Sequence, residues 1–123
     1  MDIIENDFKD NLINFIDELI LQFPEEVDLI LARILLKNKE DSVIKTLNDF
    51  VKHILPHKEK IYERDEKSLL FIFSGMNESV ESEYIQKILS LWNSNKLDAD
   101  DKKVMWDYFD LFTKLAEKYQ ALM

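Results

Sequence analysis

A chain of 123 residues with one glycine, two prolines and no cysteine lacks the residue types that several classes of site require. Glycine-rich loops that cradle phosphates need residues that reach positive φ cheaply, and disulfides and thiolate zinc sites need cysteine. Hydrophobic residues make up 46% of the chain and recur at helical spacing, which is enough for one core at this length. The sequence therefore predicts an all-α fold, a compact single-domain bundle of about six short helices over residues 1–123, with no cofactor.

The net charge of −9 is concentrated near the start of the chain. Residues 1–30 hold nine acidic residues and one lysine, a balance of −8, whereas residues 31–123 hold sixteen acidic and fifteen basic residues, a balance of −1. Such a negative field repels nucleic acid and anionic membranes, and it attracts basic proteins. We therefore expect a protein partner with a basic surface, and neither direct nucleic-acid binding nor membrane association.

The sequence shows no recognisable secretion signal or membrane span. Its first twelve residues carry a net negative charge, whereas a signal peptide begins with a basic region followed by an apolar run. The longest unbroken apolar run covers residues 69–73, far fewer than the about 20 residues that span a bilayer. We expect an intracellular protein that is not secreted.

Two helices are predicted in the first third of the chain. The first begins at Asn6 or Asp7, ends at Phe23 and carries an apolar stripe at helical spacing. The second covers about residues 25–37, and Pro24 suits its first turn because the missing N–H has no helical partner there. This second helix is apolar nearly all round, which is typical of a helix in the middle of a bundle.

The middle of the chain predicts two further helices that are separated at Pro56. Asp41 or Ser42 caps the third helix. The fourth covers about residues 57–73 and ends in the apolar run 69–73. Five apolar residues alone do not fix a period, so this run is either helix or a short buried strand. We favour helix, because no partner strand is visible elsewhere in the sequence.

A turn at residues 74–77, which contains the single glycine, separates the fourth helix from the fifth. Ser79 is the predicted cap of the fifth helix. Asp98 caps the sixth helix with Asp101 at its third position, where both carboxylates suit the positive start of a helix.

Two residues are expected to lie in the core. Ile30 belongs to the second helix, which we place in the middle of the bundle, and Phe112 lies on the apolar face of the sixth helix. Truncation of either side chain to alanine should cost about 2–5 kcal/mol through cavity formation.

The first helix supplies most of the candidate partner-binding residues. On a wheel of about 100° per residue, its polar and acidic residues gather opposite the core stripe, and Leu21 lies among them. An apolar residue within acidic surroundings could anchor a basic amphipathic partner; the alternatives are a singly exposed leucine or a contact with the start of the chain. The candidates on this helix are Asp7, Asp10, Asp17, Glu18 and Leu21, and Asn14 lies on the same side.

Trp106 is a further candidate for partner binding. It lies well over 100° from the centre of the aromatic stripe of the sixth helix. Either another element of the chain covers it or it is offered to a partner, since tryptophan is enriched in binding hot spots.

Two constellations resemble metal sites but are explained by simpler roles. Asp49, His53 and His57 follow one another at i+4 spacing, yet Pro56 is expected to break the helical face that they would share. The acidic run 98–101 lacks the glycine and the twelfth-position acid of a calcium loop, so helix capping explains it. We predict no metal site.

Three stretches of the sequence resemble small acidic helical proteins encoded by giant, nucleocytoplasmic large DNA viruses. They are FPEE at 23–26, HKEKIYERDEKSLLFIF at 57–73 and LWNSNKLDADDKKVMWDYFDLFTKLAEKY at 91–119. Arg64-Asp65-Glu66 and the aromatic spacing of the last stretch are the more specific parts. Where similar proteins have paired phenylalanines, this chain has Leu69-Leu70-Phe71. The resemblance implies a viral source and a location in the host cytoplasm, viral factory or virion, and it supplies no catalytic residues.

The expected function is a non-enzymatic protein–protein interaction or structural module. No nucleophile elbow, glycine-rich loop or zinc-binding His–carboxylate helix occurs in the sequence. The alternative is an acidic nucleic-acid-mimicking inhibitor of a host or viral nucleic-acid-binding protein. Confinement of the negative excess to thirty residues disfavours the mimic, which usually displays carboxylates over much of its surface. Self-association through Leu21 or Trp106 remains an open alternative.

Overall fold

The computed structural model describes residues 2–74 and 81–122, and every regular element within them is helical. The α-helices of these residues are α1 (Ile3–Gln22), α2 (Val27–Asn38), α3 (Glu40–Asp49), α4 (Lys58–Tyr62), α5 (Glu66–Ser74), α6 (Glu81–Asn93) and α7 (Ala99–Ala121). The all-α prediction is confirmed. Apart from residue 74, which ends α5, the predicted turn at 74–77 and the cap at Ser79 lie outside the described residues.

The two longest helices begin with the same side-chain arrangement, a capping box. The Asp2 carboxylate accepts from the Glu5 amide at 2.8 Å, and the Glu5 carboxylate accepts from the Asp2 amide at 3.3 Å. At the start of α7 the Asp98 carboxylate accepts from the Asp101 amide at 2.8 Å and the Asp101 carboxylate accepts from the Asp98 amide at 3.2 Å, so the predicted Asp98 cap is confirmed. The predicted start of the first helix at residue 6 or 7 is wrong, because the Asp2 cap supports one more helical turn.

Helices α1 and α7 pack antiparallel, with aromatic rings between them. Phe8 lies 5.4 Å from Phe112, and Phe15 lies 5.8 Å from Phe109, measured between ring centroids. Phe50, which directly follows α3, completes this cluster with an edge-on contact to the Phe8 ring at 5.6 Å. Edge-on and tilted ring pairs add to the stabilisation that burial alone provides. The prediction that Phe112 is a core residue is confirmed, since 1% of its surface is exposed.

Helix α2 lies at the surface of the bundle and not in its middle. Its buried residues Leu29, Ala32 and Leu36 form one stripe, and the opposite side is open to solvent. The longer helices α1 and α7 already supply the central aromatic cluster, so α2 buries one side only. The predicted central position is therefore wrong, as is the core assignment of Ile30, which is 39% exposed. The helix also starts later than predicted, with Pro24 in the preceding turn.

Helix α3 begins before the predicted caps, so neither Asp41 nor Ser42 is its N-cap. Lys39 occupies that position without a side-chain hydrogen bond. Ser42 is buried within the first turn, and its amide donates to the Lys39 carbonyl at 3.1 Å. The prediction of a cap at these residues is wrong, because backbone bonds alone start the helix.

Pro56 does not interrupt the helical path after α3. A π-helical turn at Phe50–Ile54 is followed by a 3₁₀ turn at Leu55–His57, which leads directly into α4. Pro56 lies at the start of the 3₁₀ turn, where the absence of an N–H breaks no helical hydrogen bond. The chain therefore changes helical type near Pro56 instead of stopping.

The predicted fourth helix is broken into α4 and α5 at Arg64. This residue has a φ of 56°, in the left-handed region that glycine usually occupies. The amides of Arg64 and Asp65 donate to the carbonyls of Ile61 and Lys60, each at 3.0 Å, and these bonds close the end of α4. The apolar run 69–73 lies within α5, so it is helix and not strand.

Candidate protein interface

The outer side of α1 carries a line of exposed residues that the helical wheel predicts. Asp7, Asp10 and Asn14 are exposed, and Leu21 is 82% exposed near the end of the same line. Steps of seven residues keep positions 7, 14 and 21 close to one line on a helix. We call these four residues the α1 ridge. It places a large apolar side chain at one end of an acidic surface.

The other two candidates on α1, Asp17 and Glu18, lie beside neighbouring helices. The Asp17 carboxylate accepts a 2.5 Å hydrogen bond from Nε of Arg33 on α2. Burial and the neighbouring Glu18 carboxylate raise the pKa of the Tyr108 hydroxyl on α7. Asp17 and Glu18 flank the ridge at its borders with α2 and α7. The acidic surface open to a partner is therefore smaller than the wheel alone predicts.

Trp106 is buried and is not available to a partner. Its ring lies edge-on to Trp92 of α6, with centroids 5.3 Å apart, and 5.8 Å from the ring of Phe109. Only 6% of its surface is exposed. The partner-binding role predicted for Trp106 is corrected here, because α6 covers the side of α7 that a wheel shows as free.

An apolar stripe on the outer side of α2 was not predicted as a surface. Val27, Ile30, Leu31 and Ile34 are 61, 39, 56 and 51% exposed. Their i, i+3, i+4, i+7 spacing places them on one side of the helix, opposite its buried residues. We call these four residues the α2 face. A contiguous exposed apolar surface indicates an interaction site, whereas single exposed apolar residues do not.

The α1 ridge and the α2 face are neighbours on the outside of the α1–α2 hairpin. The Asp17–Arg33 ion pair joins the two helices. The two helices are antiparallel. Leu21 on α1 and Ile30 on α2 therefore both lie about one turn from this ion pair, on the side of the connection between the helices. At about 100° per residue, Arg33 lies on the edge of the α2 face that is nearest α1. The ion pair thus separates the two surfaces.

A polar junction joins the break between α4 and α5 to α6 and α7. Arg64 donates to the Asp107 carboxylate on α7 at 2.5 Å. The Glu66 carboxylate accepts from Trp92 Nε1 at 3.0 Å and from Lys102 Nζ at 2.9 Å. The contacts of Arg64 and Glu66 hold the break between α4 and α5 against α6 and α7.

Hydrogen bonds to cations lower the pKa of two carboxyl groups in the polar junction. The Lys102 ammonium lowers the pKa of Glu66, and the Arg64 guanidinium lowers the pKa of Asp107. A carboxyl group whose pKa is lower in the folded than in the unfolded chain stabilises the fold above its unfolded pKa. That contribution is lost as the pH falls through the folded pKa.

We expect the free energy of unfolding to decrease as the pH is lowered from about 6 to about 3, because these carboxylates become protonated. Urea unfolding at a series of pH values measures the decrease. Glu66→Gln, which keeps an acceptor for Trp92 but does not titrate, should show a shallower pH dependence than the original chain. Equal slopes for the two proteins would show that Glu66 does not contribute to the decrease.

The residues of the possible metal constellation do not form a cluster. No group of three or more potential ligands is close enough to hold a metal ion among the described residues. His53 lies in the π-helical turn, whose i→i+5 bonds change the spacing of side chains. The His57 ring packs edge-on to Phe71, with centroids 6.2 Å apart. The acidic residues at 98–101 start α7 as caps.

Comparisons with protein-family models, with curated proteins and with solved structures found no match to this chain. None of the helices in the described ranges combines the length and hydropathy that crossing a bilayer requires. The function proposed below therefore depends on the exposure, charge and contacts of the residues described above.

Proposed function

We propose that this protein is a non-enzymatic protein–protein interaction module whose α1 ridge binds a basic amphipathic partner. The observation that carries the proposal is the 82% exposure of Leu21 beside an acidic surface. A large apolar side chain surrounded by polar residues matches the usual anatomy of an interface, with an apolar anchor and a charged rim.

The distribution of charge supports the choice of a basic partner. Residues 1–30, which include α1, carry a balance of −8 in a chain whose net charge is −9. Asp7 and Asp10 are exposed along the ridge, so their charges reach an approaching protein. Complementary charge of this kind speeds association and orients the partner, while the apolar anchor provides affinity.

The resemblance to proteins of large DNA viruses supports a viral setting for this interaction. The proposed location is the host cytoplasm, the viral factory or the virion, and the partner is a viral or host protein. The acidic nucleic-acid mimic is the second candidate, because exposed carboxylates at Asp7 and Asp10 also attract nucleic-acid-binding proteins.

Leu21→Asp is expected to weaken binding of a basic amphipathic partner about tenfold or more while changing the melting temperature by less than about 2 °C. The probe is a synthetic helical peptide with leucines on one side and lysines on the other, and fluorescence anisotropy measures its affinity. Phe71→Asp is the matched control, because Phe71 is also exposed but lies on α5 and not on α1. It should bind the peptide within about twofold of the original chain.

Two results would argue against the apolar anchor. If Leu21→Asp and Phe71→Asp bind the peptide equally well, Leu21 is not part of the interface. If binding also weakens steeply with added salt, carboxylates alone carry it, and the nucleic-acid mimic becomes the better explanation.

A further inference from the structure

The ion pair between Asp17 and Arg33 lies beside the α1 ridge, between an acidic residue of the ridge and its apolar end. At about 100° per residue, Asp17 lies about 20° around the helix axis from Asp10 and about 40° from Leu21. Along the axis it lies about 10 Å from Asp10 and about 6 Å from Leu21, given the helical rise per residue. A partner that contacts both Asp10 and Leu21 therefore passes over the Asp17 carboxylate.

The ion pair is one that a cation from outside can replace. Nε of Arg33 lies 2.5 Å from Oδ1 of Asp17, and the two side chains are 35 and 41% exposed. Within the part of the chain that the structure describes, this is the one hydrogen bond of the Arg33 side chain, so the pair is not the stronger bidentate arrangement. Ion pairs at this exposure contribute little to stability. Its opening therefore leaves the fold intact.

We propose that Arg33 competes within the chain for the α1 ridge, and that the partner is a helix with two basic residues seven positions apart. One of them pairs with Asp10, and the other displaces Arg33 from Asp17. Two helical turns advance about 10 Å, which matches the separation of these two carboxylates. This inference rests on the proposed function, and it adds the spacing of the partner's charges and the residue that limits its affinity.

The competition keeps binding weaker than the acidic residues of α1 alone predict. The second basic residue of the partner exchanges one ion pair at Asp17 for another, so its net gain is small. The Arg33 charge that it releases stays close by and repels it. Removal of the Arg33 charge should therefore strengthen binding, and it should do so through Asp17.

Arg33→Met tests the competition, because methionine keeps an apolar stem but carries no charge. The probe is the helical peptide with leucines on one side and lysines on the other, its lysines placed seven positions apart. We expect its dissociation constant, measured by fluorescence anisotropy, to fall about fivefold. In an Asp17→Asn background the same substitution should change it less than about twofold, since no carboxylate remains to be released. Equal gains in both backgrounds would mean general charge repulsion and would overturn the proposal.

Two controls separate the spacing and the position of the charge from its mere presence. Lys67→Met removes an exposed cation from α5 and should change the dissociation constant less than about twofold. A peptide of the same composition with lysines five positions apart presents them on different sides of its helix, so Arg33→Met should strengthen its binding less than about twofold. A gain equal to that of the seven-residue spacing would overturn the proposed partner.

Arg33→Gln is a second neutral variant, in case methionine alters the packing of α2. It should give the same gain as Arg33→Met. Circular dichroism shows whether each variant keeps the fold, and the melting temperature should change by less than about 5 °C, because the lost ion pair is exposed.

The outcomes distinguish this inference from the proposed function. If the original chain binds the peptide through Leu21 and neither Arg33 variant binds it more tightly, Arg33 does not compete, and the proposed function stands alone. If the Arg33 variants bind and the original chain does not, Arg33 competes strongly enough to close the ridge, and the proposed function fails for the unmodified chain. If none of these proteins binds the peptide, both proposals are overturned.

Discussion

Phe112→Ala is expected to lower the free energy of unfolding by about 3–5 kcal/mol, because it removes a ring from the centre of the core. The Phe112 ring lies 5.4 Å from Phe8, 5.8 Å from Phe15 and 5.9 Å from Phe50. The three neighbouring rings come from two different segments, α1 and the π-helical turn, so they cannot all move in to fill the space without disturbing those segments. Chemical denaturation followed by circular dichroism measures the loss.

The control for Phe112→Ala is Val104→Ala on the same helix. Val104 is exposed, so its truncation should change stability by no more than about 0.5 kcal/mol. A loss below about 1 kcal/mol for Phe112→Ala would show that the aromatic cluster is not the centre of the core.

Leu29→Asp is expected to unfold the chain or to cost more than about 4 kcal/mol, whereas Leu31→Asp should cost no more than about 0.5 kcal/mol. The two residues are two positions apart on α2. Leu29 is fully buried, so a carboxylate there would lose its hydration without gaining a partner, while Leu31 is 56% exposed. Thermal and chemical unfolding of both variants at low protein concentration measures the difference.

The comparison between these two variants tests the position of α2 directly. If both substitutions destabilise the chain severely, α2 is buried on both sides, as its sequence alone suggests. If both are tolerated, α2 does not contribute to the core. The low protein concentration keeps any self-association separate from the effect on folding.

The parts of the fold that the sequence predicts correctly are those fixed by local interactions. The apolar stripes of α1 and α7 are long enough to identify both helices, and the cap at Asp98 is recognisable from its spacing to Asp101. The same spacing occurs at Asp2 and Glu5, so the true start of α1 was visible in the sequence although the predicted start lay one turn later.

The parts that the sequence does not predict depend on neighbouring elements. The apolar residues of α2 are compatible with burial on all sides, and only the competition with α1 and α7 for the centre leaves Val27 and Leu31 exposed. A helical wheel of α7 alone places Trp106 on the exposed side, because the wheel contains no information about α6. Asp17 and Glu18 look equivalent to Asp10, yet each lies beside a partner on another helix.

The break between α4 and α5 was not predictable from the usual residue types. A left-handed residue at a helix end is most often glycine, and here it is Arg64. Its side chain reaches α7 and forms an ion pair with Asp107. A contact between residues so far apart in the chain leaves no pattern in the local sequence.

The pairing of α1 with α7 has a consequence for how the protein is made. The rings of Phe8 and Phe15 are buried by Phe112 and Phe109, about a hundred positions further along the chain. During translation these rings must wait until α7 has left the ribosome. Until then the nascent polypeptide exposes apolar surface, at the stage where chaperones act. Closure of so long a loop also places this bundle among the slower-folding helical proteins.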